Sequence, residues 1–351
     1  MTDAPHPEFR LAVVGAGSWG TTLAGLAAGA AGGESGGPTV LWAREPEVAD
    51  SINHAHVNPL FLSDHRLPPT LRATTSIAEA LDGADALIMA VPSQFFRSVF
   101  QEVVPRLSPA APVLSVVKGI ERGSLQRMTE VMRDESDHDP ALIGVLSGPN
   151  VAREIALGEP AATVIALGDE VWADRLQHRL VSPTFRVYTN PDVVGCEIAG
   201  AVKNVIAIAA GVADGLGYGA NTMAALLTRG LAELVRLGTA VGGQPLTFLG
   251  LAGNGDLVAT CSSEKSRNHQ VGFELGRGRS IEEIVGAMHM VAEGVETTPC
   301  VLALAAQVGV EMPIAEQVQA VIEGRCAPAE AVELLMGRHA RPELDGIPEQ
   351  A

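Results

Sequence analysis

Aromatic side chains supply only 4% of the 351 residues while hydrophobic residues as a whole supply 47%, so the core has to be built from Ala, Val, Leu and Ile. Basic side chains are short as well: 24 Lys and Arg stand against 41 Asp and Glu, a formal net charge of -17. That deficit argues against a nucleic-acid binder or a protein held to anionic lipid, and any anionic ligand must meet a local cluster of basic groups and helix N-termini. The four cysteines (Cys196, Cys261, Cys300, Cys326) lie far apart with no Cys-x-x-Cys. Neither a zinc site nor a disulfide scaffold is indicated, and a reducing cytosol fits. No stretch reaches the ~18 uninterrupted apolar residues of a membrane span, and Met1–Arg10 has no basic region leading into a long apolar run. Apart from the Gly-rich Ala28–Gly37, the chain has no low-complexity segment and no repeat. A cytoplasmic globular protein of two domains, at ~100–200 residues each, is the expectation.

What is present begins with Leu11–Val14, a short apolar run followed at once by Gly15-Ala-Gly-Ser-Trp-Gly20 and a helical stretch over Thr21–Ala28. The glycines hold the first, third and sixth places of the dinucleotide fingerprint. Gly15 permits the tight turn, Gly17 lets a pyrophosphate approach the backbone, and Gly20 lets the helix pack close to the strand. The helix N-terminus then offers N–H groups and a positive dipole end to phosphate. The second strand, Thr39–Ala43, runs into Arg44-Glu45, where an acidic residue ordinarily holds the ribose 2′-hydroxyl of NAD. Arg44 can pair with a 2′-phosphate, which favours NADPH over NADH; it could also merely stack on adenine, or leave the acid's role to Glu45. Further strands are expected at Arg72–Thr75, Ala86–Val91, Val113–Val117 and Leu142–Leu146, with helices at Ser76–Leu81, Phe95–Val104 and Leu125–Arg133 between them. Such alternation means a parallel sheet covered on both faces. Its strand ends present Val91-Pro92-Ser93, Lys118-Gly119 and Ser147-Gly-Pro-Asn150. Lys118 suits an anionic oxygen, and the helix Val151–Leu157 opened by Gly148-Pro149 could receive a phosphate, although ordinary turn chemistry explains both. Ala161–Leu167, a helix over Glu170–Leu180 and Phe185–Thr189 close this half.

Asn190-Pro191-Asp192 is a break and a helix start. It divides a dinucleotide-binding domain, residues 1–190, from a helical domain, residues 191–340, with a tail over 341–351. The fold class expected is α/β: a Rossmann-type doubly wound parallel sheet plus an all-helical domain. Helical composition covers Asp192–Leu216, Thr222–Val241, Ser280–Met288, Thr297–Gln307, Ile314–Glu323 and Ala329–Met336. In the first of these, Glu197–Asp214 is apolar nearly all round, and Lys203 is the only charged residue between its acidic ends. An unpaired buried ammonium costs several kcal/mol unless it sheds its proton. Lys203 therefore either snorkels to the surface, pairs with Glu197 or Asp214, or is a reactive amine. The exception to helical composition is Leu249–Asn268, where a glycine-rich loop delivers Asp256 and a Ser266-Arg267-Asn268 cluster follows. Arg267 can bind phosphate in fork geometry, Ser266 and Asn268 can add neutral hydrogen bonds, and Asp256 can accept from a substrate hydroxyl or pair with Lys203.

Hydride transfer to a ketone needs a proton for the oxygen that becomes an alcohol. No Ser-Tyr-x-x-x-Lys, His-x-x-x-His or cysteine cluster is present, which leaves the isolated lysine as the acid–base. Desolvation and neighbouring cations lower a lysine towards pKa ~7–8, the useful range for that role. At this point the chain resembles bacterial NAD(P)-dependent glycerol-3-phosphate dehydrogenase over essentially its whole length. The residues behind the resemblance are Val13-Val-Gly-Ala-Gly-Ser-Trp-Gly-Thr-Thr22, Leu41-Trp-Ala-Arg44, Ala90-Val-Pro-Ser93, Lys118-Gly119 and Leu146-Ser-Gly-Pro149. They continue with Glu197-x-x-Gly-x-x-Lys-Asn-Val205, Ala252-Gly-x-Gly-Asp-Leu257, Ser266-Arg-Asn268 and Val291-Ala-Glu-Gly294.

The resemblance implies reversible reduction of dihydroxyacetone phosphate to sn-glycerol 3-phosphate, feeding phospholipid synthesis, with NADPH preferred and NADH possible. It implies cofactor contacts at Ser18, Trp19, Arg44, Lys118 and Ala152, with Arg267, Val291 and Glu293 joining from the helical domain. It assigns the substrate to Lys118, Gly148, Lys203, Asp256, Ser266, Arg267 and Asn268, with Lys203 as proton donor and acceptor, and calls for no metal. Asn150 departs from the family's usual Ser or Thr and is kept as a weaker substrate contact. A homodimer through the helical domain is a further expectation.

Overall fold

The computed structural model describes residues 9–29, 37–288, 292–340 and 342–343. The chain forms two compact units. The first takes the chain up to Val117 and again Met128–Val193; the second takes Lys118–Arg127 and the chain from Val194 on.

The first unit is a sheet flanked by helices. Its strands are β1 (Leu11–Val14), β2 (Thr39–Trp42), β3 (Arg72–Thr74), β4 (Ala86–Met89), β5 (Val113–Ser115), β6 (Ile143–Ser147), β7 (Ala161–Ala166) and β8 (Phe185–Asn190). The helices are α1 (Ser18–Ala28), α2 (Pro46–Ala55), α3 (Ile77–Leu81), α4 (Ser93–Val103), α5 (Met128–Glu135), α6 (Ala152–Ala156) and α7 (Glu170–Leu180). Every residue of β1, β4 and β6 is buried, the condition under which strands read as continuous apolar runs. The strand order is β3-β2-β1-β4-β5-β6-β7-β8, so the winding reverses between β1 and β4, and the turns after these strands flank that switch point. The all-parallel sheet expected from the alternation needs one correction: β7 pairs antiparallel with β6, and β8 runs parallel to β7. Strand composition records burial and not direction. Helix α2 was not foreseen, and α1 begins at Ser18, earlier than the expected Thr21.

The second unit is helical: α8 (Val193–Gly215), α9 (Ala220–Ala240), α10 (Pro245–Leu249), α11 (Asp256–Ser262), α12 (Arg267–Gly276), α13 (Ile281–Ala287), α14 (Glu293–Gln307), α15 (Pro313–Ile322) and α16 (Pro328–Met336). Helix α8 is its axis, with Ile198, Val202, Val205, Ile206 and Ile208 all fully buried. It is long and apolar enough to cross a membrane, but 83% of that window is buried inside the fold, as a core helix requires. Glycines let α12 lie backbone to backbone against it. A methyl group at Gly211 would stand 2.0 Å from the His269 carbonyl oxygen, and one at Gly272 would stand 2.0 Å from that of Ile208. The glycine-rich stretch before Asp256 is also corrected: Leu251–Gly255 forms a wide π turn leading straight into α11, so Asp256 opens a helix and does not hang from a loop.

Candidate active site

In the first unit the fingerprint glycines divide by what they touch. Gly15 has φ +116°, and a methyl group there would lie 2.5 Å from the Ala90 carbonyl oxygen; at Gly20 it would lie 2.0 Å from that of Gly15. Both positions are fixed by packing within the unit. At Gly17 a methyl group would meet nothing within 4 Å, so this glycine faces open space, the place where a pyrophosphate would approach the backbone. Helix α1 has no side-chain cap and no acidic residue in its first turn, which suits an anion at its N–H groups. Ser18 donates from Oγ to the Phe61 carbonyl (2.7 Å). Trp19 sets its ring edge-on to Phe185, and its buried Nε1 finds no hydrogen-bond partner among the described residues. This open cradle and the orphaned donor fit a dinucleotide.

Arg44 lies just past the end of β2 with its side chain 74% exposed, and it sets Nη2 2.6 Å and Nε 2.9 Å from Glu45 Oε1. Gly148 follows β6 at φ +144°, with Thr163 Cα 3.1 Å from where a methyl group would stand. The Asn150 amide is turned to β7: Oδ1 accepts from Thr163 Oγ1 (2.9 Å) and Nδ2 donates to the Ala162 carbonyl (3.4 Å). These two contacts tie the turn to the sheet. Ala152 opens the five-residue α6, and its carbonyl accepts from Thr22 Oγ1 (3.2 Å).

In the second unit two of the sequence-selected residues, Lys203 and Lys118, meet at Asp256. Lys203 Nζ is 2.8 Å from Asp256 Oδ1, and Lys118 Nζ is 2.7 Å from Oδ2. Lys203 also donates to Thr260 Oγ1 (2.5 Å), which itself donates to Asp256 Oδ1 (3.1 Å). The lysine neither snorkels nor pairs with the acids on its own helix. Its side chain is 6% exposed, Glu197 takes Arg127 at 2.6 Å, and Asp214 faces His269. Burial pulls the Lys203 amine down to about 8; Asp256 works against the shift and Lys118 adds to it. Burial also pushes the neighbouring Cys261 thiol up to about 12, which leaves it protonated and no nucleophile at neutral pH.

Ser266 is the N-cap of α12, its Oγ accepting from the His269 N–H (3.3 Å), and the exposed Arg267 is the helix's first residue. Asn268 is buried: Nδ2 donates to Asn204 Oδ1 (2.9 Å) and Oδ1 accepts from the Gly294 N–H (2.9 Å). Glu293 begins α14 and is half-buried, while Val291 lies outside the described residues. Sequence reasoning did not select Thr260 or Asn204. The signals were available: Thr260 follows Asp256 by four residues, one helical turn, and Asn204 adjoins Lys203.

Two family models match. That of the NAD-dependent glycerol-3-phosphate dehydrogenase N-terminus covers residues 10–173, and that of the C-terminus covers residues 192–333. Glycerol-3-phosphate dehydrogenase (NAD(P)+) 2 of Sphingopyxis alaskensis is 50% identical over 318 residues, 91% of this chain and 93% of that protein. The crystal structure of glycerol-3-phosphate dehydrogenase from Coxiella burnetii superposes with a TM-score of 0.87 at 36% identity, over 94% of this chain and 99% of that one. A ketopantoate reductase from Ralstonia eutropha shares the fold alone, with a TM-score of 0.58 at 19% identity, over 92% of this chain and 99% of that one.

Proposed function

The chain belongs to the NAD(P)-dependent glycerol-3-phosphate dehydrogenase family and is an NAD(P)-dependent oxidoreductase, and from that premise we propose the finer chemistry. It reduces dihydroxyacetone phosphate reversibly to sn-glycerol 3-phosphate, with NADPH preferred, and Lys203 exchanges the proton at the carbon-2 oxygen. The observation behind this reading is a buried lysine whose pKa is lowered to about 8 while Asp256 holds its Nζ at 2.8 Å.

When bound, the nicotinamide supplies the hydride. The chain has to supply a proton and a place for the phosphate. An ammonium has three N–H donors; Asp256 and Thr260 engage two on Lys203, which leaves the third for the substrate oxygen. Asp256, held between Lys203 and Lys118, orients both amines. With a pKa near 8, Lys203 can give its proton during reduction and take it back during oxidation at near-neutral pH. Arg267, exposed at the first position of α12, is suited to the substrate phosphate, with the positive end of that helix behind it. Arg44 is suited to the 2′-phosphate of NADPH. Its present partner is a surface carboxylate, and such pairs are worth only ~0–1 kcal/mol.

A dehydrogenase for an unphosphorylated hydroxy acid is the rival reading, since that class shares the fold. NADPH oxidation compared with dihydroxyacetone phosphate and with dihydroxyacetone separates the two. Loss of the phosphate should lower kcat/KM by about a hundredfold or more, as charged hydrogen bonds of ~1.5–3 kcal/mol each disappear. Equal turnover of both ketones would remove the phosphorylated substrate from the account.

A further inference from the structure

Asn204 and Asn268 form a directed chain of hydrogen bonds in the second unit. The Gly294 N–H donates to Asn268 Oδ1 (2.9 Å), Asn268 Nδ2 donates to Asn204 Oδ1 (2.9 Å), and Asn204 Nδ2 donates to the Lys118 carbonyl (2.9 Å). Both asparagines are buried. The ends of the chain fix both amide orientations, because a main-chain N–H can only donate and a main-chain carbonyl can only accept. Neither amide can flip without opposing two acceptors or two donors.

The terminus served at one end needs it. The first N–H groups of a helix have no partner within the helix. Helix α14 has Ala292 as its N-cap and no side-chain cap of its own. Asn268, from another helix, supplies the missing acceptor. The fit is close: a methyl group at Gly294 would stand 2.8 Å from both Asn268 Oδ1 and the Asn204 carbonyl oxygen. At the other end, the residue held by its carbonyl is Lys118, whose amine pairs with Asp256.

We infer that Asn268 is a positioning residue with two duties: it caps α14 and so places Glu293, the residue beside Gly294 that the family resemblance gives to the cofactor, and through Asn204 it places Lys118, the partner of Asp256. This assignment rests on the dehydrogenase reading above. It differs from a simple substrate contact, because one N–H and one lone pair of the amide are already committed to Asn204 and Gly294.

Two variants split the duties. Asn268→Ala removes both links. Asn268→Asp keeps an acceptor for the Gly294 N–H but cannot donate to Asn204 Oδ1. Amide hydrogen exchange over the first turn of α14 should quicken in Asn268→Ala and stay near wild type in Asn268→Asp, in protein without ligand. NADPH affinity, titrated by fluorescence without substrate, should fall about five- to tenfold in Asn268→Ala, the loss of one buried hydrogen bond, and change less than about twofold in Asn268→Asp. KM for dihydroxyacetone phosphate should rise in both. If Asn268→Ala exchanges and binds NADPH like wild type and only its KM rises, the side chain is a substrate contact alone and the positioning role is wrong. If Asn268→Asp loses NADPH affinity as fully as Asn268→Ala, the capping link is not what matters and the inference also fails. Wild-type protein that neither binds NADPH nor turns over dihydroxyacetone phosphate would overturn the dehydrogenase reading and the cofactor duty with it, while the exchange measurement would still decide whether Asn268 caps α14.

Discussion

Lys203 lies in the interior of the helical unit with one carboxylate and one hydroxyl fixed on its amine. With Lys203 as the proposed acid–base, its lowered pKa sets opposite pH profiles for the two directions of reaction. Reduction needs the ammonium, so kcat/KM for dihydroxyacetone phosphate should be level below about 8 and fall up to tenfold per pH unit above it. Oxidation of glycerol 3-phosphate needs the neutral amine, so its kcat/KM should climb up to about 8 and then level off. Profiles that bend the same way in both directions would rule Lys203 out as the shared acid–base. Arg44 gives a second test at this scale. Arg44→Asp should lower the NADPH-to-NADH ratio of kcat/KM about tenfold or more, the value of one charged hydrogen bond; an unchanged ratio would detach Arg44 from the 2′-phosphate. Some of this was legible in the sequence, because a single charge in an apolar helix and three glycines between a strand and a helix are unusual wherever they occur. Two residues on the lysine's side of the fold were missed. Their signals were local: Thr260 stands one helical turn after Asp256, which counts only once Asp256 is placed on a helix, and Asn204 adjoins Lys203.

Among the elements, the correction at Leu249–Asn268 shows how glycine misleads. Gly250, Gly253 and Gly255 read as a loop, yet the Gly255 N–H bonds back to the Gly250 carbonyl (3.0 Å) and the turn runs on into α11. The glycine at 253 serves close approach: a methyl group there would stand 2.2 Å from the Phe248 carbonyl oxygen. Strand direction was equally hidden, and β7 reverses without any compositional mark. Helix α9 carries a feature with a measurable consequence. Buried Glu233 accepts from the N–H groups of Ile314 (2.7 Å) and Ala315 (3.4 Å), which open α15. Burial raises its carboxyl from 4.5 to about 7, against the pull of those two N–H groups and Arg236 and with a push from Glu316. The folded state then binds this proton more tightly than the unfolded chain. Its stability contribution is largest below about 4.5 and is lost as pH rises to about 7. Glu233→Gln keeps an acceptor for Ile314 without the charge, so its melting temperature should exceed that of wild type at pH 8 and the gap should close towards pH 5. A gap of constant size would show that the carboxyl does not titrate in this range.

At the scale of the whole molecule, a chain of net charge -17 uses its few basic groups locally. Lys118 and Lys203 share one carboxylate in a unit that also presents Arg267 at a helix start. The first unit holds a glycine cradle open at Gly17, and the second holds the buried Lys203–Asp256–Lys118 cluster. No change of composition marks Lys118–Arg127 as part of the helical unit, although this short segment brings Lys118 to Asp256 and Arg127 to Glu197. The central claim is that the dehydrogenase chemistry passes through Lys203. It is tested most directly by following NADPH oxidation with dihydroxyacetone phosphate in wild type beside Lys203→Ala, at saturating concentrations of both. General acid–base catalysis is worth ~10²–10⁴-fold, so the account predicts rapid turnover in wild type and a loss of that size in kcat of the variant. Turnover at the wild-type rate in Lys203→Ala would contradict it.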